Sequence, residues 1–213
     1  MTSTPGSAAR AARWRTAAAW LLLLLMIVPP VRRMIESSMA AHMLIQYPCL
    51  MLAGALLVEC VASRWLKRVQ RWNELGIAGL VGSALTLAVL MIPRVLDLAL
   101  VDGQVETVKL IALIASGAAL RLSWKRAGVV VQTFFLGNVL PMTGVAGTIY
   151  QDSAVRLCNA YRLEDQHNIG LALVAISIVT AALWLLLIAT RRASNDYTYP
   201  CDQPMANTAS ADA

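Results

Sequence analysis

The residues best suited to bind a metal follow one another near residue 40. Met39, His42 and Met43 are spaced by three and four residues, which places them on one face of a helix, and Glu36 and Gln46 extend that face in both directions. Imidazole and thioether groups suit copper, and the thioether favours Cu(I). In the alternative interpretation the methionines fill a helix bundle, while His42 and Gln46 bond to another helix.

A second histidine, His167, follows Asp165 and Gln166. The carboxylate of Asp165 can orient a ligating imidazole, or it can simply cap a helix start. The sequence thus predicts a metal site made of Met39, His42, Met43 and His167, with Asp165 and Gln166 beside it.

Two further polar positions belong to the same hypothesis. Asn138 and Met142 are four residues apart, so they share a helix face next to Pro141, and we expect them to reach the same cavity. The alternative is close helix packing through Gly137, Gly144 and Gly147. Cys158 is a weaker thiolate candidate, and a packing role competes with it.

The composition requires a membrane around these residues. Hydrophobic residues make up 58% of the 213 positions and charged residues only 14%, against about 25% in ordinary soluble domains. A soluble core could not bury that much apolar surface. The chain has no P-loop, nucleophile elbow, dinucleotide fingerprint or zinc-protease motif, so we expect no enzymatic activity.

The apolar segments predict an all-α, polytopic transmembrane bundle of about six spans, since a span needs about 20 apolar residues. The predicted spans are 17–31, 39–63, 75–93, 105–124, 128–150 and 168–190. They form one domain over residues 14–192, between disordered ends at residues 1–13 and 193–213. The first segment has the alternative of a cleaved signal peptide, but no small-residue cleavage site follows it.

The basic residues predict an orientation. With both termini in the cytoplasm, 12 Lys and Arg residues fall on the cytoplasmic side and five on the opposite side. This bias follows the positive-inside rule. The net charge of +6 is therefore interpreted as a topology signal and not as a nucleic-acid surface. Both histidines then lie at the outer face.

Two short motifs resemble the multi-span CtaG-like cytochrome c oxidase assembly factors. Residues 39–54 are similar to a family helix with a His-Met pair, a Gln, a Pro and a Gly, and residues 165–170 are similar to a late helix start. The chain departs from the family where Gln46 and Tyr47 stand in place of a further His. The positions that carry the resemblance are His42, Met43, Gln46, Asp165 and Gln166.

The resemblance implies a bacterial inner-membrane protein that assists assembly of a haem-copper oxidase, with copper handled at the periplasmic face. Its expected partners are the lipid bilayer and oxidase subunits, without nucleic acid. One alternative is a small-solute or metal transporter, in which Pro141, Glu59 and Lys109 line a path. Another is a haem-binding electron-transfer protein that uses His42 and His167.

Overall fold

The computed structural model describes residues 5–61, 63–158 and 160–196. Within these residues all regular secondary structure is helical. The helices are α1 (Pro5–Ile27), α2 (Pro29–Glu36), α3 (Met39–Ala41), α4 (Tyr47–Leu57), α5 (Ser63–Trp72), α6 (Ile77–Leu90), α7 (Pro93–Val101), α8 (Gly103–Trp124), α9 (Val129–Asp152) and α10 (Leu163–Asp196). A π-helical turn (His42–Gln46) joins α3 to α4, and a 3₁₀ turn (Val58–Cys60) follows α4.

Three continuous stretches in the described part of the chain are long and apolar enough to cross a membrane: Met39–Cys60, Val129–Asp152 and Leu163–Arg191. Two bent helix pairs raise this number to five if each pair counts as one span. The all-helical class is therefore confirmed, with three to five candidate membrane-spanning helices among the described residues. The predicted count of about six spans is not, and α8, which covers the predicted span 105–124, is not among these stretches.

The predicted first span is broken at Val28, where α1 and α2 meet at 69°. Pro29 and Pro30 cause this break. A proline cannot donate the backbone hydrogen bond that would continue α1. Proline is tolerated at the first positions of a helix, and Pro29 and Pro30 are the first two residues of α2.

Helices α1 and α10 extend into the two terminal segments, residues 1–13 and 193–213. Helix α1 begins at Pro5 and α10 continues to Asp196. The N-terminal segment is rich in Ala and Arg, which are strong helix formers and extend an adjoining helix at little cost. The rest of the predicted tail, residues 197–213, lies outside the described residues.

The centre of the bundle is a close parallel crossing of α4 and α8. A side chain at Gly54 would collide with the backbone of Ile114, and one at Gly117 would collide with the backbone of Met51. Small residues permit this approach. Helix α6 lies antiparallel to α8, and the Ser83 hydroxyl donates to the Ser116 carbonyl across that contact (3.0 Å).

Helices α9 and α10 form an antiparallel hairpin. Gly147 contacts the backbone of Gly170, and Gly144 lies against Ser177. The packing role considered for the glycines of α9 is thus observed at two of three positions, since a side chain at Gly137 would meet open space.

These directions give the bundle two distinct ends. The polar end carries α2, the start of α3, the start of α8 and the loop before α10. The basic end carries the turn Val58–Cys60, α5 and the turn between α8 and α9. Residues far apart in the sequence therefore meet at the polar end.

Candidate functional site

A buried lysine organises the polar end. Lys109, on the first turns of α8, is 1% exposed. Its Nζ lies 2.7 Å from Oε2 of Glu106 and 2.9 Å from Nε2 of His42. We call the set of side chains around it the ionic centre, which comprises Arg32, Glu36, His42, Gln46, Glu106, Lys109 and Tyr161.

Two further oxygen acceptors lie near the Lys109 ammonium group. Oε1 of Glu36 and Oε1 of Gln46 each lie 3.4 Å from Nζ of Lys109. Arg32 contacts both carboxylates, at 3.4 Å from Nε to Oε2 of Glu36 and 3.9 Å from NH1 to Oε1 of Glu106. Two cations thus face two carboxylates, which is the arrangement that makes buried charge tolerable.

The partners of His42 determine its tautomer. The Tyr161 hydroxyl donates to the Glu36 carbonyl oxygen (3.0 Å), so its own oxygen is left to accept from Nδ1–H of His42 (2.8 Å). Nε2 then carries the lone pair and accepts from the Lys109 ammonium. His42 is therefore a neutral imidazole with both ring nitrogens engaged.

The π turn His42–Gln46 positions this histidine. Pro48 lacks the N–H group that would bond to the Leu44 carbonyl, which favours a wider local turn. Within it His42 and Gln46 are fully buried. Gln46 also donates from Nε2 to Oε1 of Glu36 (3.3 Å), so the turn aims two polar groups at Lys109.

The loop that delivers Tyr161 is fixed by Gln166. Its Oε1 accepts from the Leu157 backbone N–H (2.8 Å), and its Nε2 donates to the Tyr150 carbonyl (3.2 Å). Burial raises the pKa of the Tyr161 phenol, with Glu36 acting in the same direction. The hydroxyl is therefore protonated at neutral pH and able to donate.

Cys158 lies in the same loop and is buried, with its Sγ 3.8 Å from the Pro93 carbonyl oxygen. Burial, aided by Asp97, raises the pKa of its thiol to about 12. A neutral thiol is a poor metal ligand, so this environment favours packing over ligation.

Of the four predicted metal ligands, Met39, His42 and Met43 lie together and His167 lies apart from them. Met39 and Met43 are buried in the apolar core beside His42. His167 is exposed and lines a separate groove of about 540 Å³ with Asp152 and Glu164. A haem held by both histidines would need them on one iron, and no contact between them is present among the described residues.

The other predicted positions have separate environments. Asn138 and Met142 share a face, as expected, but they line an apolar groove of about 300 Å³ between α6 and α9 and not the polar end. Asp165 lies in the first turn of α10, where a carboxylate interacts favourably with the helix dipole. Its position fits the capping alternative.

Sequence reasoning assigned three of the seven residues of the ionic centre to no site. Lys109 entered only the transporter hypothesis, while Arg32, Glu106 and Tyr161 were not assigned to any site. The available signals were the spacing of Glu106 and Lys109, three apart on a helix, and the spacing of Arg32 and Glu36, four apart. Neither spacing indicates that the two pairs meet.

The described residues contain no group of three or more His, Cys, Asp or Glu side chains arranged to hold a metal ion. Comparison with protein-family models, with curated proteins and with solved structures finds no match. The CtaG-like resemblance therefore rests on its two short motifs alone.

Proposed function

We propose that the protein is a non-enzymatic accessory protein of a bacterial inner membrane that assists assembly of a haem-copper oxidase. The observation that carries this proposal is the meeting of the two motifs at one end of the bundle. His42 and Gln46 come from the first motif, and Gln166 of the second fixes the loop whose Tyr161 bonds to His42. In the proposed orientation this end faces the periplasm and both termini are cytoplasmic.

The ionic centre supports a holding role better than a transport role. The two charges of the transport hypothesis, Lys109 and Glu59, lie at opposite ends of the bundle. Lys109 contacts Gln46 at the polar end, whereas Glu59 pairs with Arg15 at the basic end, at 2.8 Å. The helix from Gln46 to Glu59 spans about 20 Å at about 1.5 Å per residue. Between the two charges, the crossing of α4 and α8 is closed by backbone contact at Gly54 and Gly117.

The assembly role is tested in the source organism by deleting the gene and recording the reduced-minus-oxidised spectrum of its membranes. We expect the haem absorbance of the oxidase to fall and to return with the parent gene. The Lys125→Ala variant, altered at an exposed residue of the basic end, should restore it equally. A deletion strain with a normal oxidase spectrum and normal oxygen consumption would overturn the proposal.

The copper ligands that we propose are now His42, Met39 and Met43, without His167. Nε2 of His42 already accepts from Lys109 at 2.9 Å, so a copper ion on that nitrogen must displace the ammonium. We expect copper bound under reducing conditions to be lost in His42→Ala and kept in the matched control His167→Ala. Parent protein without copper would refute copper handling but leave the assembly role standing, since the oxidase spectrum tests that separately.

A further inference from the structure

Helix α5, at the basic end, concentrates positive charge outside the bundle. Arg64, Lys67, Arg68 and Arg71 lie within its ten residues, and all four are exposed. The described residues include no carboxylate in a salt bridge with any of them. Their charge is therefore directed away from the protein.

The same helix has a separate apolar face. Trp65, Val69 and Trp72 follow the spacing of one helix face, and they are 51%, 48% and 85% exposed. The guanidinium carbon of Arg68 lies 5.1 Å from the ring centroid of Trp65. Exposed tryptophans next to Lys and Arg are typical of helices that lie in the headgroup region of a bilayer.

The orientation of α5 agrees with such a position. The axes of α5 and α6 are bent by 85°, so α5 lies along the membrane surface when α6 crosses the bilayer. Gly76 makes the turn possible with a φ of 73°. The turn is held in place because Nδ2 of Asn73 donates to Oγ of Ser123 (2.7 Å) and NH1 of Arg126 donates to the Gln70 carbonyl (3.2 Å).

We propose that α5 is an interfacial helix that binds the headgroups of anionic phospholipids. The tryptophan face inserts at the acyl boundary, and the four cations contact lipid phosphates. Charge complementarity selects this occupant, because a surface of neutral lipids would leave the four cations without counter-charge, whereas each Lys or Arg near an anionic bilayer contributes to binding.

The test uses the full-length protein in a neutral detergent, titrated with phosphatidylglycerol or phosphatidylcholine, with bound lipid counted by native mass spectrometry. The test variant replaces Arg64, Lys67, Arg68 and Arg71 by Gln. The matched control removes the same charge elsewhere, by replacing the exposed residues Arg33, Arg94, Arg156 and Arg162 by Gln. A third variant, with the three arginines of α5 replaced by Lys, keeps the charge.

We expect the parent to prefer phosphatidylglycerol by tenfold or more, the test variant to lose that preference, and the control and lysine variants to keep it. Equal binding of the two lipids by the parent would overturn the proposal. So would an equal loss in the control variant, which would indicate a non-specific charge effect. Displacement of the lipid by inorganic phosphate at equal concentration would identify a phosphate site and refute binding to a lipid surface.

Discussion

The two ends of the bundle use the same residue types in opposite ways. At the polar end, the buried Lys109 forms an ion pair with Glu106, and Arg32 and Glu36 complete a set of two cations and two carboxylates. At the basic end, Arg15 and Glu59 form an ion pair, and four exposed cations lie on α5. The two ends differ in burial, because Lys109 is buried whereas the cations of α5 are exposed.

The difference in burial determines whether a charge stabilises the fold or remains available for binding. A buried charge must be paired within the protein, and removing one partner is costly. An exposed charge has little effect on stability and remains available to an outside partner. The polar end is thus a structural centre that organises helices, whereas the basic end is a surface.

The largest effect is expected for Lys109→Ala. The substitution leaves Glu106 and Glu36 with one cation between them in a buried site, which costs about 3–5 kcal/mol in free energy of unfolding. Denaturant titration of the purified protein in detergent measures this change. The matched control is Lys125→Ala, which removes an exposed lysine on the turn after the same helix and should change the value by less than about 0.5 kcal/mol.

A double variant separates charge from packing at the same site. Lys109→Met with Glu106→Met removes one cation and one carboxylate together, so we expect it to regain most of the stability lost in Lys109→Ala. If the single variants Lys109→Met and Glu106→Met are each as stable as the parent, Lys109 does not organise the polar end.

The next effect concerns the crossing that closes the bundle between the two ends. In Gly117→Ala the new methyl group meets the Met51 backbone, and we expect a cost of about 1–3 kcal/mol from overpacking. The matched control is Gly137→Ala on α9, where the methyl group would meet open space. Equal thermal stability of the two variants would contradict the close approach of α4 and α8.

The sequence predicted the helical membrane class and the helix faces, because both follow from local composition and spacing. It predicted that His42, Met43 and Gln46 share one helix face, and all three are buried in the structure. It did not predict that Lys109 contacts His42, since the register between α4 and α8 depends on where Gly54 and Gly117 let two backbones meet. No local pattern encodes that register.

The break at Val28 was missed for a similar reason. An apolar run followed by Pro29 and Pro30 satisfies the length rule for a span, but the direction of the next helix depends on its contacts. Here Arg32 and Glu36 of α2 contact Glu106 and Lys109 of α8. Tertiary ion pairs therefore accompany the bend, and they cannot be read from residues 17–36 alone.

A smaller effect is expected for Tyr161→Phe. The change removes the hydroxyl that bonds to Nδ1 of His42 and to the Glu36 carbonyl, and it leaves both groups without that partner, at a cost of about 1–2 kcal/mol. Tyr161→Phe keeps the ring, so packing is preserved. Denaturant titration measures the loss, and an additive effect in the Tyr161→Phe, His42→Ala pair would contradict the proposed bond.

The smallest effect is expected for the ion pair of the basic end. Arg15 and Glu59 approach to 2.8 Å, but their side chains are 49% and 29% exposed, so Glu59→Gln should cost at most about 1 kcal/mol and the cost should shrink in high salt. Glu106→Gln at the polar end is the matched variant, with a larger cost that salt changes little because the site is buried. If salt weakens both equally, the polar end is hydrated, and the contrast between the two ends fails.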